Sequence, residues 1–208
     1  MFNASILTFQ EFVMREPLPL ATIQQAVLEF LQGRDDVVVF GAQAVNAYVD
    51  QPRMTQDIDL LSPRAKDLVQ ELQGYLRQRF HIAVRMRQVS QERGYRLFQV
   101  RKSGNRHLVD VRPVEKLPLA QRIGDVLVMA PAELIAYKVI AYHQRRGQPK
   151  SGTDWRDLAL LLLRFPDLKR DLGPVVDCLR AAGADPAVLT VWQEFVAQEI
   201  RPEEEEDE

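Results

Sequence analysis

The stretch Val37–Leu61, VVVFGAQAVNAYVDQPRMTQDIDLL, decides how the chain is read. It opens on a continuous β-branched and aromatic run, Val37 to Phe40, the pattern of a strand buried on both faces. Gly41 breaks the run, and Ala42 to Tyr48 reads as a short helix. A second strand is expected over Thr55–Leu61. Side chains two apart on a strand share a face, so Asp57 and Asp59 stand side by side while Ile58 and Leu60 turn into a core. Two ionised carboxylates that close repel each other unless something positive lies between them. Surface acids are common at strand ends and account for one aspartate. A same-face pair calls for a cation.

Outward from this stretch the chain is mixed α/β, then helical. Residues 8–15 predict a short helix, and the apolar stripe Ile23, Val27, Leu28, Leu31 predicts another over 20–33, ending at Gly33. A helix from Pro63 to about Gln78 follows the second strand, with Ser62 as its cap. His81–Val89 and Tyr95–Lys102 read as strands, and Arg106–Arg112 pairs with the latter through the turn Ser103-Gly104-Asn105. After a proline-containing connection, residues 131–146, 153–164, 168–182 and 186–199 are helical. The expected plan is an α+β core over 1–120, a helical region over 121–200 and a disordered acidic tail over 201–208.

Bulk composition excludes several classes. No apolar run approaches the roughly 20 residues a membrane helix needs. The N-terminus lacks the basic start and small-residue cleavage site of a signal peptide, so a cytoplasmic setting is expected. A single cysteine, Cys178, rules out an internal disulfide or a multi-cysteine zinc site. The formal net charge of −2 hides a segregation: residues 77–112 carry ten basic residues against two acids, and residues 201–208 carry six acids against one arginine. A basic segment attracts polyanions such as nucleic acid or triphosphates, although a solvated, arginine-rich sheet face gives the same composition.

The chemistry concentrates in four places. A glycine directly after a buried strand and opening a helix lets backbone N–H groups approach a phosphate, although it also serves as a plain tight turn. Asp57 and Asp59 offer the oxygens that hard cations such as Mg²⁺ take together with substrate phosphates. Asp110, between Val109 and Val111, is an acid in a buried-looking strand. It is explained either by a metal or by a salt bridge to Arg96, Arg101 or Arg112. Three acids on adjacent strands can hold two metal ions that clamp an in-line phosphoryl or nucleotidyl transfer. His81, His107 and His143 lack metal-ligand spacing and are read as surface or hairpin residues. No Gly-x-Ser-x-Gly elbow or Gly-Lys-Ser/Thr phosphate loop is present.

Gly41-Ala42, Asp57-Ile58-Asp59 and the lone Asp110 together resemble the nucleotidyltransferase superfamily signature. The flavour Arg53-x-Thr55-x-Asp57-Ile58-Asp59-Leu60 is similar to the AbiEii-type toxin and minimal nucleotidyltransferase branch. The likeness continues into Lys138 within one helix and Asp154-x-x-Asp157-Leu158 in the next, and spans roughly residues 36–163. It implies a nucleotidyltransferase-like mixed sheet flanked by helices, Mg²⁺ or Mn²⁺ held by Asp57, Asp59 and Asp110, and nucleoside triphosphate as substrate. It also implies nucleotide contacts from Gly41, Ala42, Arg53, Thr55, Lys138 and Asp157, with Asp110 as base and Asp154 orienting Lys138 or the acceptor. Ala42 departs from the pattern, because that position usually carries glycine or serine. Acceptors in the superfamily include tRNA ends, protein hydroxyls and small molecules; the basic segment favours tRNA, and the branch implies a toxin with a cognate antitoxin. The rival expectation is a nucleotide-binding module of the same fold with little turnover, acting through a partner. Away from the resemblance, Lys138 also reads as a surface lysine laid along an apolar stripe, and Asp154 as a helix-start acid.

Overall fold

The computed structural model describes residues 18–89 and 94–202, which form two compact units divided between Met129 and Ala130. The expected helix over 8–15 and the acidic run from Glu203 lie outside the described residues. In the first unit, helix α1 (Leu20–Leu31) precedes strand β1 (Val38–Phe40), helix α2 (Gly41–Tyr48), strand β2 (Ile58–Ser62) and helix α3 (Ala65–Phe80). Strands β3 (Val84–Gln88), β4 (Tyr95–Gln99), β5 (Arg106–Pro113), β6 (Ala120–Ile123) and β7 (Val126–Met129) complete it. Among the described residues they make one seven-stranded mixed sheet of order β3-β4-β5-β2-β1-β7-β6.

The sheet forms where the apolar residues demand it. Val38, Val39 and Phe40 are at most 1% exposed, and β1 lies centrally, antiparallel to β2 and parallel to β7. Each such side chain taken from water is worth about 1.5–3 kcal/mol. β2 runs parallel to β5, because the chain crosses over through α3 and the β3–β4 hairpin before returning. α3 packs its stripe Leu68, Val69, Leu72 and Leu76, all fully buried, against β2 to β5. Its last residue is followed by His81 in the left-handed conformation (φ 53°), which stops the helix.

Two local expectations shift. Ser62 is the buried end of β2 rather than a helix cap: its hydroxyl donates to Asp36 O (2.7 Å) and accepts from Arg64 N (3.0 Å), and α3 begins only at Ala65. Residues 120–129, most of them expected within the helical region, form the β6–β7 hairpin around Gly124 and Asp125, both at positive φ (55° and 65°). Two positive φ values in a two-residue loop match the twist of antiparallel strands. This hairpin carries the sheet-forming part of the chain to Met129.

The second unit contains α4 (Pro131–Gln144), α5 (Pro149–Arg164), a short 3₁₀ turn (Pro166–Leu168), α6 (Pro174–Ala181) and α7 (Pro186–Ala197). Every one starts on a proline, whose missing N–H and fixed φ suit the first helical position. α4 packs against α5, α6 and α7, and Tyr142 meets Phe195 edge to face at 5.2 Å. Among the described residues no helix is long and apolar enough to cross a membrane.

Candidate active site

The register of the central strands builds the site. Phe40 of β1 faces Asp59 of β2, Asp59 faces Asp110 of β5, Asp110 faces Arg96 of β4, and Arg96 faces Arg87 of β3. Direct cross-strand partners present their side chains on one face, so this row is continuous across five strands. Phe40 is the last residue of β1, which lays the Asp59 carboxylate over Gly41, the first residue of α2. Gly41 has φ +69°, and a Cβ there would overlap Asp59 Oδ2 and stand 2.9 Å from Cγ. Glycine is required twice, by its backbone and by its neighbour. The carboxylate lies at the positive end of α2, where a negative charge is favoured.

Asp57 sits in a bend just before β2, so the Asp57/Asp59 pair is split between two surroundings. Asp57 Oδ2 lies 3.0 Å from His107 Nδ1, and Asp110 Oδ1 lies 3.1 Å from His107 Nε2. The positive group beside Asp57 is an imidazole shared with Asp110 rather than with Asp59, at a residue read from the sequence as a surface or hairpin position. A bulge explains how it arrives. Phe98 pairs with His107 and Leu97 with Val109, so Leu108 is an added residue on β5. The bulge turns His107, three residues from Asp110, onto the same face. Phe98 stacks on the imidazole with ring centroids 5.1 Å apart.

Arg96 Nε donates to Asp110 Oδ1 at 2.9 Å, which realises one of the salt bridges open in the sequence. Burial alone would lower the imidazole pKa, but hydrogen bonds to Asp110 and Asp57 and their charges outweigh it and push His107 up to about 9. For Asp110, burial pushes upward, yet His107 and Arg96 hold the carboxyl below the usual carboxylate range. Ligand atoms from Asp57, His107 and Asp110 all lie within 4.8 Å of one another.

The loop that delivers Asp57 is tied down by two buried amides. Asn46 Nδ2 donates to Arg53 O (2.7 Å), and Arg53 N donates to Asn46 Oδ1 (3.0 Å). Gln24 Nε2 donates to Thr55 O (3.0 Å) and Thr55 Oγ1 (3.2 Å). Both amides are 6% exposed. Their sequence signal is a polar residue on the apolar side of a helix, weak in one chain. Ala42 is the second residue of α2 and half-buried.

The second unit gathers Lys138, Asp154 and Asp157. Lys138 Nζ lies 2.6 Å from Asp157 Oδ2 and 3.7 Å from Asp154 Oδ1, and Arg145 reaches both Asp154 oxygens at 3.1 and 2.8 Å. Lys138, Asp154 and Asp157 are 5%, 2% and 0% exposed. Two readings are corrected here. Asp154 does not stand at a helix start, since α5 begins at Pro149; it shares one helix face with Asp157. Lys138 is not a surface lysine, and Arg145 joins the cluster through Asp154.

Comparison with known proteins bears on the family and the fold. A family model described as nucleotidyl transferase AbiEii toxin, type IV TA system, matches residues 25–207. The polyadenylate synthase of Megavirus superposes with a TM-score of 0.56 at 14% identity, over 71% of this chain and 32% of that one. The chain thus spans about a third of the length of that enzyme. A putative nucleotidyltransferase from Helicobacter pylori gives a TM-score of 0.55 at 14% identity, over 91% and 93% of the two chains. The Helicobacter pylori protein JHP933 gives 0.53 at 13%, over 92% and 90%. No curated protein is significantly similar in sequence. At these identities the likeness concerns the fold, which is α+β and nucleotidyltransferase-like.

Proposed function

The chain belongs to the family of AbiEii nucleotidyl transferase toxins of type IV toxin–antitoxin systems, and on that premise we propose that it moves a nucleotidyl group from a nucleoside triphosphate to an acceptor hydroxyl. The observation carrying this reading is the Asp57–His107–Asp110 cluster, with ligand atoms within 4.8 Å, in register with Asp59 and the start of α2. Two carboxylates at that separation, with a third paired beside them, are a donor set that fits Mg²⁺ or Mn²⁺. Asp57 and Asp110 would hold the ion, with Asp59 beside them in the same row, and the ion's chemistry is to neutralise charge on the reacting phosphate and on the leaving pyrophosphate.

The chain's own residues have these parts in the proposal. Asp110, kept ionised at neutral pH, takes the proton of the attacking hydroxyl. Backbone N–H groups of Gly41 and Ala42 at the start of α2 receive phosphate oxygens. With alanine at 42 no hydroxyl assists, so phosphate binding rests on the backbone and on Arg53 and Thr55, whose loop Asn46 and Gln24 hold. The family resemblance carries Lys138 and Asp157 as nucleotide-side residues and Asp154 as the group orienting Lys138 or the acceptor, and their buried pairing fixes where the lysine's charge lies.

The acceptor we propose is tRNA. Support comes from Arg96 and Arg87, which continue the row of acids toward the sheet edge, and Arg85, which follows beside Phe98. Arg85, Arg87 and Arg96 are exposed. Phosphate-backbone binding needs such a track. A cognate antitoxin and a cytoplasmic setting belong to the same proposal. Ala42 favours a second reading, nucleotide binding without efficient turnover. One experiment separates them: incubation with each labelled nucleoside triphosphate, Mg²⁺ or Mn²⁺, and total tRNA or cell lysate. Label transfer that vanishes in Asp59→Ala supports transfer; nucleotide binding without transfer to any acceptor supports the binding module.

A further inference from the structure

We propose that His107 is itself a metal ligand, so that the centre is a mixed nitrogen–oxygen site, Asp57–His107–Asp110, which favours first-row transition-metal ions over Mg²⁺. The inference rests on the reading that these acids hold a divalent ion, and adds a residue and a selectivity to it.

Geometry supplies the first argument. Donors around one ion lie about 2.0–2.2 Å from it, so two of them stand at most about 4.4 Å apart. The three donor groups already lie within 4.8 Å of one another, so closure on a common ion takes movements of a few tenths of an ångström. The imidazole is held in place from two directions. Phe98 stacks on its ring, and the bulge at Leu108 fixes the turn of the strand that aims it. Arg96 anchors Asp110 through Oδ1 at 2.9 Å. Asp59, by contrast, is directed onto Gly41 and is absent from the cluster.

Chemistry supplies the second. Mg²⁺ prefers oxygen donors and keeps its waters, whereas imidazole nitrogen is a good ligand for transition-metal ions. An all-aspartate centre has no reason to prefer Mn²⁺ through its donors; one with an imidazole does. Coordination replaces one N–H···O contact of the ring with a nitrogen–metal bond, and the displaced proton leaves to solvent.

The test uses the full chain stripped with chelator and titrated with Mn²⁺, read by pulsed electron paramagnetic resonance and by calorimetric competition with Mg²⁺. His107→Gln keeps a polar side chain and offers oxygen, and His107→Phe keeps the stacking on Phe98 without a donor. Thermal melts by circular dichroism check that each variant folds before its metal binding is read. The native chain is expected to give ¹⁴N modulation from an imidazole, absent in both variants. Its preference for Mn²⁺ over Mg²⁺ should fall roughly tenfold in His107→Gln. Bound Mn²⁺ without ¹⁴N modulation, or an unchanged preference in folded His107→Gln, overturns the inference and leaves metal-dependent transfer standing. A native chain that binds neither ion, with or without nucleotide, overturns both.

Discussion

Removing one member of the buried Lys138–Asp157 pair should be costly, and removing both should not. Asp157 is fully buried, and Lys138 Nζ lies 2.6 Å from its Oδ2. In Asp157→Leu the ammonium keeps only Asp154, 3.7 Å away and already engaged by Arg145 at 2.8 Å. Breaking a buried pair by losing one partner typically costs about 3–5 kcal/mol, because the remaining charge stays out of water. The residual contact with Asp154 argues for the lower end, about 3 kcal/mol, or a fall in melting temperature of roughly 6–12 °C for a chain of this size. The double variant Lys138→Met/Asp157→Leu replaces the pair with apolar groups of similar volume and should return to within about 1 kcal/mol of the native chain. Urea unfolding and calorimetry of the four corners of the cycle measure the coupling. A loss below about 1 kcal/mol in Asp157→Leu, or a double variant no better than the single, would refute the reasoning. The folded double variant also divides two roles. If it melts normally but no longer transfers nucleotide, the lysine's charge serves the chemistry; if transfer persists, the pair is framework.

Three further outcomes are expected. Gly41→Ala meets both a left-handed backbone and the Asp59 carboxylate, whereas Gly104→Ala meets only the backbone (φ +110°, nothing within 4 Å). Gly104→Ala should lose about 1–2 kcal/mol in urea and Gly41→Ala more than that, but only Gly41→Ala should lose transfer, by roughly a hundredfold; equal activities would show that Asp59 does not depend on Gly41 for its place. His107 has a raised pKa when folded, so its contribution to stability is full below the ordinary 6.5 and is lost as pH rises through about 9. The urea midpoint of the native chain should therefore fall across that window, and His107→Phe should lack that fall; parallel profiles would contradict the contacts with Asp57 and Asp110. Arg85→Glu/Arg87→Glu should raise KM for a tRNA acceptor and reduce its salt dependence while leaving KM for nucleotide unchanged. An unchanged acceptor KM would detach the β3–β4 edge from substrate binding.

Much of the fold is legible in the sequence because its signals are local. Val37–Phe40 carries its burial in four adjacent side chains, and the β4–β5 hairpin is marked by Ser103-Gly104-Asn105. In the second unit the helices opening at Pro131 and Pro186 are equally plain, whereas the one expected over 168–182 begins only at Pro174. The β6–β7 hairpin is not. β6 is a four-residue edge strand with Gln121 and Arg122 exposed, so it lacks the alternation by which a strand is recognised. Its one cue, Gly124-Asp125, is short. Asp154 misleads for a related reason: α5 starts at Pro149, earlier than the Thr153-Asp154 pair suggests, and only packing brings Arg145 and Lys138 onto that acid.

The site divides along the same line. Asp59 and Asp110 announce themselves because an acid between apolar strand residues is improbable without a partner, and Asp57 is marked by standing two residues from Asp59. His107 gives no such sign. On a regular strand a residue three positions from Asp110 points to the opposite face, so the alternation rule assigns it away from the acids. It joins them because Leu108 is an extra residue, and both Leu108 and Val109 are buried, at 1% and 0% exposure. A regular β5 would have to expose one of those two or bury the imidazole. The bulge resolves that conflict, and the same displacement sets a nitrogen donor between two carboxylates. The packing of two aliphatic side chains is thus what decides which atoms can meet a cation, and no residue type taken alone carries that information.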